Sequence, residues 1–220
     1  MANKKLVVFD TETTGLNPDE DEMVQFSACD FNGQVLLNTY IRPTKHTEWP
    51  EAEKINHISP ETVKDAPVLA DVADKIKMIM TSDDYLVAYN IDFDLGFLAP
   101  VFHAERRQKQ IDVMLDFARF FGEIHDYYGD YKWQKLITAA AYYGFDFAAH
   151  DSMQDVFATL HIYKQMRIDD RRKLAATRIS RLGNTYRFYN TDKQFIADCL
   201  AGRDPGSCSA NGGLFDEIED

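Results

Sequence analysis

The segment LVVFDTETTGL, residues 6–16, places two acids at the end of an apolar, β-branched run, and that constrains the fold more than any other stretch. Leu6 to Phe9 has the composition of a buried strand. Asp10 and Glu12 follow two residues apart, so on an extended chain both side chains point to one face. Burying an unpaired charge is expensive, and two carboxylates on one face repel each other. Either this is a solvated strand end, where Asp and Glu are common, or a hard divalent cation lies between the carboxylates.

Two further segments repeat the pattern. In YLVAYNIDFDLGFL a strand hands over to a helix and carries Asp92 and Asp94. These two compete for one role, since an acid in the first turn of a helix is favoured by the dipole alone. In AAHDSMQDVFATLHIY, His150 and Asp155 stand at the start of a helix. If His150 precedes the first turn, both can face one site. Four acids from three segments with one histidine suit two-metal hydrolysis of a phosphodiester. Two divalent ions share an acid there, and a histidine removes a proton from the attacking water.

The remaining pattern is a mixed α/β one. Strands are expected at Met23–Asp30 and Gln34–Ile41, joined at Asn32-Gly33 as a hairpin. Pro43 to Pro50 reads as a loop. Ser59-Pro60-Glu61 reads as an N-cap with proline in the first turn, and Val68, Val72, Ile76 and Ile79 continue at helical spacing to Met80. A strand at Tyr85–Tyr89, a helix at Leu95–Phe102 and a strand near Ile111–Met114 follow. Amphipathic helices at Trp133–Tyr143 and Val156–Met166 complete a sheet with helices packed on it.

With these segments in hand, the chain resembles the DEDD superfamily of 3′→5′ exonucleases, in its DEDDh branch. FDTETTGL is similar to the family's Asp-x-Glu motif. NIDFDLGFL is similar to its Asn-x-x-Phe-Asp motif, which selects Asp94 over Asp92. His150 through Asp155 has the His-x4-Asp spacing of the histidine branch; the tyrosine branch would put Tyr where this chain has Asp151. INHISPETV and KLITAAAYYGFDFAAH resemble the connecting segments, and the likeness runs over roughly residues 5–167. Two departures stand out: Tyr89 where the family often has His, and Asn56-His57 where it often has His-Gly.

The resemblance implies a ribonuclease H-like mixed β-sheet flanked by α-helices, with a short C-terminal extension. It implies two Mg2+ or Mn2+ ions, with Asp10, Glu12 and Asp155 on the first, Asp94 on the second and Asp10 shared. His150 would be the general base. Thr13, Thr14, Leu16, Ile55, Asn56, Asn90 and Phe93 would surround the 3′-terminal nucleotide. The expected substrate is single-stranded DNA or a frayed 3′ end, released as nucleoside 5′-monophosphates, with RNA trimming as the alternative. A binding module that kept the fold without the chemistry is a second alternative, but degenerate members usually lose an acid and none is lost here.

The net charge of -12 argues against a generic nucleic-acid coat, which would carry a basic excess. The basic surplus is local, +6 across residues 160–203. Organisation is expected as an exonuclease domain over 1–168, a basic helical and aromatic extension over 169–203, and an acidic tail over 204–220. Tyr186-Arg187-Phe188-Tyr189 suits either base stacking or an ordinary packed aromatic corner. The final GGLFDEIED reads as a solubilising end or a dock for a replication or repair protein. Cys29, Cys199 and Cys208 are scattered without a Cys-x-x-Cys pair, which suits a reducing compartment. No signal-like apolar segment opens the chain and no membrane span is present, so a cytoplasmic location is expected.

Overall fold

The computed structural model describes residues 5–82, 84–124 and 129–181, with backbone alone over 171–181. Both Tyr186–Tyr189 and GGLFDEIED lie outside the described residues. The chain divides into a unit spanning Met1–Tyr163 and a second spanning Lys164–Asp220.

Five strands form the sheet of the first unit: β1 (Leu6–Thr13), β2 (Met23–Asp30), β3 (Val35–Tyr40), β4 (Tyr85–Ala88) and β5 (Lys109–Asp112). Their order is β3-β2-β1-β4-β5. The first three run antiparallel as a meander, and β1, β4 and β5 run parallel, which is the expected ribonuclease H-like mixed sheet. The helices are α1 (Pro50–Asn56), α2 (Pro60–Val63), α3 (Leu69–Ser82), α4 (Ile91–Leu98), α5 (Val113–Phe121), α6 (Leu136–Tyr142) and α7 (Ser152–Arg181). Among the described residues, no helix is long and apolar enough to cross a membrane.

One core lies on the α3–α4 face of the sheet. Val7 and Phe9 of β1 and Phe26 and Ala28 of β2 pack there against Ile76 and Met80 of α3 and Phe97 and Leu98 of α4. Strand alternation puts Asp10 and Glu12 on the other face.

Several boundaries differ from the sequence expectations, each for a local reason. β1 continues through Asp10 and Glu12 to Thr13, because β2 supplies Ser27, Phe26 and Gln25 as partners for Asp10, Thr11 and Glu12. The expected helix from Ser59 to Met80 is two. Ser59 and Thr62 build a capping box for α2, and Pro67 then separates it from α3 while its carbonyl accepts the Arg42 N–H. Helix α4 begins at Ile91 and ends at Leu98. The strand expected near Ile111–Met114 is β5, which stops at Asp112. The Asp112 side chain accepts the N–H of Leu115 (2.9 Å) and of Ile91 (3.1 Å), so one carboxylate starts α5 and anchors α4. The helix expected from Trp133 starts only at Leu136. The β2–β3 turn is a hairpin as expected, but only Gly33 has a positive φ (85°), so the loop is not the two-residue turn that Asn-Gly favours.

The 43–50 loop is organised by one acid. Glu22 accepts the N–H groups of Thr44, Lys45 and His46, the Thr44 hydroxyl and the His46 ring. Burial pushes its carboxyl up, but these donors outweigh that and hold it at about 2.

Candidate active site

β1 pairs with β4 only from Leu6 to Val8. Beyond that point β1 has β2 on one side and, among the described residues, no strand on the other. This is the carboxyl end of a parallel pair next to a reversal of direction, where open α/β sheets place ligands. The β1–β2 register also shifts between Glu12 and Thr13, a bulge that ends regular pairing beside Glu12.

Asp94 fills the gap that β4 leaves. Its Oδ1 accepts the Thr11 N–H at 2.9 Å and the Thr11 hydroxyl at 2.8 Å, and the residue is 2% exposed. The carboxylate thus takes the hydrogen bond a longer β4 would have made. Asp92 is exposed, so the structure separates the two acids as the motif does.

Asp155 arrives from the first turn of α7. Asp151 caps that helix by accepting the N–H groups of Met153 and Gln154. The fully buried Ser152 donates its hydroxyl to the Asp10 carbonyl at 3.0 Å, docking the helix start on β1. One carboxylate oxygen each from Asp10, Glu12 and Asp155 then lie within 4.8 Å of one another. Among the described residues, Asp10 Oδ2 and Asp155 Oδ1 are buried and have no hydrogen-bond partner.

Electrostatics show how unfavourable this grouping is on its own. Burial, then the charges of Asp94, Glu12 and Asp155, raises Asp10 well above the ordinary carboxylate range, against the Ser152 hydroxyl. Burial pushes Glu12 up to about 8, helped by Asp155, Asp94 and Asp151. Burial likewise pushes Asp155 to about 7 against the His150 N–H, and Asp94 to about 7 against the Thr11 donors. Orphaned buried oxygens, mutual repulsion and an all-oxygen donor set fit hard divalent cations, which would neutralise what the protein leaves uncompensated.

The same shifts fix a pH dependence. These folded carboxyls titrate above their unfolded values, so between about pH 4 and about pH 8 the folded state holds more protons and stability falls as pH rises. Glu22 acts oppositely: its contribution is present above its ordinary 4.5 and is lost as pH falls towards about 2. Metal-free protein is therefore expected to melt at a lower temperature at pH 8 than at pH 5, with Mn2+ raising the melting temperature more at pH 8. Equal metal effects at both pH values would contradict the site.

His150 sits in the turn before α7, exposed, with a left-handed backbone (φ 69°). It lines a cleft of about 240 Å³ with Asp151, Asn56, His57, Tyr40 and Gln25. Asn90 is also left-handed (φ 73°) and exposed, at the N-cap of α4. Phe93 packs against Phe97, ring centroids 5.0 Å apart. Thr13 and Thr14 are buried: the Thr13 hydroxyl donates to the Gly15 carbonyl, and the Thr14 hydroxyl accepts the Glu22 N–H. Leu16 and Ile55 are 82% and 54% exposed, apolar groups left in solvent.

Two residues do more for the scaffold than their motif positions suggest. Asn56 is buried; its Nδ2 donates to the Thr13 carbonyl and its Oδ1 accepts the Ile58 N–H, both at 3.0 Å. It ties the end of β1 to the loop after α1. Replacing Asn56 by alanine leaves two backbone groups unpaired and is expected to cost about 2 kcal/mol, measured as a lower urea midpoint at unchanged slope. A shift under about 0.5 kcal/mol would show that the clamp carries no weight. Tyr89 donates its hydroxyl to the Gln134 carbonyl at 2.7 Å, and burial, then the charge of Asp112, raises its pKa. Thr11, Ser152 and Asp112 went unnoticed in the sequence. Only the Asp-Ser pair ahead of an apolar helical period signalled the α7 start.

A ribonuclease H-like sheet with three carboxylates gathered at the end of its central strand fits a class, the metal-dependent nucleases. Comparison with known proteins narrows it. The exonuclease family model of the RNase T type matches residues 7–163. An exonuclease of Escherichia phage 186 is 32% identical over 168 residues, covering 71% of this chain and 84% of the phage protein. The DNA polymerase III epsilon subunit of Rickettsia prowazekii is 36% identical over 104 residues, covering 44% of each chain. E. coli Exonuclease I, solved with a dA16 oligonucleotide, superposes with a TM-score of 0.61 at 21% identity, over 72% of this chain and 39% of that one. The chain therefore belongs to the RNase T-type exonuclease family, and is a hydrolase of phosphodiester bonds. It spans less than half the length of the epsilon subunit and of Exonuclease I.

Proposed function

We propose that this chain is a 3′→5′ exonuclease that removes nucleoside 5′-monophosphates from single-stranded DNA or frayed 3′ ends. The observation that carries this reading is the convergence of Asp10, Glu12 and Asp155, two of them with orphaned buried oxygens, beside a cleft lined by His150. Asp10, Glu12 and Asp155 would hold one Mg2+ or Mn2+, and Asp94 together with Asp10 would hold a second. When bound, the cations offset the clustered negative charge and polarise the scissile phosphate.

His150 accepts the proton of the attacking water. Its place in a turn, outside the helix, leaves the imidazole free to face the cleft. Thr11 and Ser152 are positioning residues, one for Asp94 and the other for the start of α7. Leu16 and Ile55 supply exposed apolar surface for the terminal base, and Asn90 and Phe93 would contribute to the same pocket from the start of α4. Thr13, Thr14 and Asn56 shape the floor of that pocket through the bonds they make to the backbone.

DNA is favoured over RNA because the relatives include polymerase subunits and a nuclease solved with deoxyadenosine oligonucleotide. RNA trimming is the alternative. Residues 1–168 constitute the exonuclease domain in this reading, in keeping with the family match, and 169–203 and 204–220 are appended to it. A replication or repair partner would engage those appended residues. The test digests matched DNA and RNA single strands, with a 3′-mismatched duplex alongside, in Mg2+ and in Mn2+. Faster release from DNA and from the mismatched end supports the reading. Faster release from RNA overturns the substrate.

A further inference from the structure

Among the described residues, three non-glycine positions have positive φ: His57, Asn90 and His150. All three border the site. Asn90 starts the helix that carries Asp94, and His150 precedes the helix that carries Asp155. His57 follows Asn56 directly, closes α1 with φ 58°, and donates its N–H to the Glu53 carbonyl at 2.9 Å. A left-handed residue at a helix end is ordinarily glycine, because a β-carbon is disfavoured there. Keeping a histidine at such a position has a conformational cost that its backbone role does not require.

Asn56 accepts the Ile58 N–H across residue 57 and donates to the Thr13 carbonyl, which holds the left-handed turn at residue 57 against the end of β1. His57 is exposed and lines the same cleft of about 240 Å³ as His150 and Tyr40. Among the described residues its ring nitrogens have no hydrogen-bond partner. The cleft thus has two imidazoles, next to Asp151 and the start of α7, and an aromatic ring from β3.

We propose that His57 is a second histidine of the site, which donates a ring N–H to the phosphate of the 3′-terminal nucleotide and of the released nucleoside 5′-monophosphate. It binds and orients and abstracts no proton, the role given above to His150. Tyr40 offers its ring to the sugar and base of the same nucleotide. This rests on the proposed reading of the site. It goes beyond that reading by naming a contact from a position where the backbone alone would select glycine.

The test uses His57→Gly and His57→Asn in the full chain with Mg2+, and dTMP as product inhibitor. Glycine accommodates the left-handed turn, so the melting temperature is expected to hold or rise. Over the same comparison, KM for a DNA single strand and the inhibition constant for dTMP are expected to rise about 10-fold. The expected change in kcat is less than about threefold. His57→Asn, which tolerates the same backbone and keeps an N–H donor, is expected to recover most of the dTMP affinity. Unchanged dTMP inhibition in a stable His57→Gly protein overturns the proposal and leaves His57 as a helix cap. Asp10→Asn in parallel keeps the two readings apart: retained digestion there would overturn the site itself, whatever His57 does.

Discussion

Replacing Asp10 by asparagine will abolish most of the nuclease activity and stabilise the metal-free protein. The two effects have one origin. Asp10 is the most crowded acid of the site, raised by burial and by three neighbouring carboxylates, and its Oδ2 is buried without a partner. Asparagine keeps the shape and removes the charge, so repulsion with Glu12, Asp94 and Asp155 falls. In the proposed reading the same change also removes a ligand that both cations would share. A loss of at least about 10³-fold in kcat is expected, comparable to or larger than removing one preorganised electrostatic group. Mononucleotide release at saturating Mg2+ and a thermal melt in EDTA measure the two halves. A purely structural role for Asp10 would lower both, and a binding module without chemistry would show no activity to lose.

His150→Gln is expected to lower kcat by about 10²–10³-fold through a different route. The His150 ring belongs to the cleft and not to the carboxylate group, while its backbone N–H supports Asp155. Glutamine retains that N–H and loses the proton acceptor. Stabilisation of the variant by Mn2+ should therefore match that of the unaltered chain while turnover falls. Parallel loss of metal stabilisation and turnover would mean that His150 acts through the metal ligands instead.

Much of this site was legible in the sequence because its chemistry violates the pattern of its elements. Acids at the end of an apolar strand stand out, and the alternation of Asp10 and Glu12 gave their common face directly. The extent of β1 was hidden for the same reason. The acids break the apolar run after Phe9, and only pairing with β2 shows that the strand continues to Thr13. The handover at Asp112 was hidden too, since one side chain ends β5, caps α5 and anchors α4 with no glycine or proline to mark it.

How Asp94 is held was not legible at all. Its hydrogen bonds from Thr11 exist because β4 stops short, a fact of topology that no local window contains. Asn56 illustrates the converse. Its motif position suggested a nucleotide contact, and its buried amide is committed to two backbone groups. The net charge of -12 also changes meaning. Four of the acids sit at one site whose cations would supply the positive field for a phosphate, so an acidic chain and a polyanionic substrate are compatible.

The most direct measurement digests one DNA single strand labelled separately at its 3′ and 5′ ends, in Mg2+ and in EDTA. Release of labelled mononucleotide from the 3′ end at once, from the 5′ end only as digestion completes, and none in EDTA is the predicted result. Label released first from the 5′ end, or undiminished release in EDTA, would contradict it.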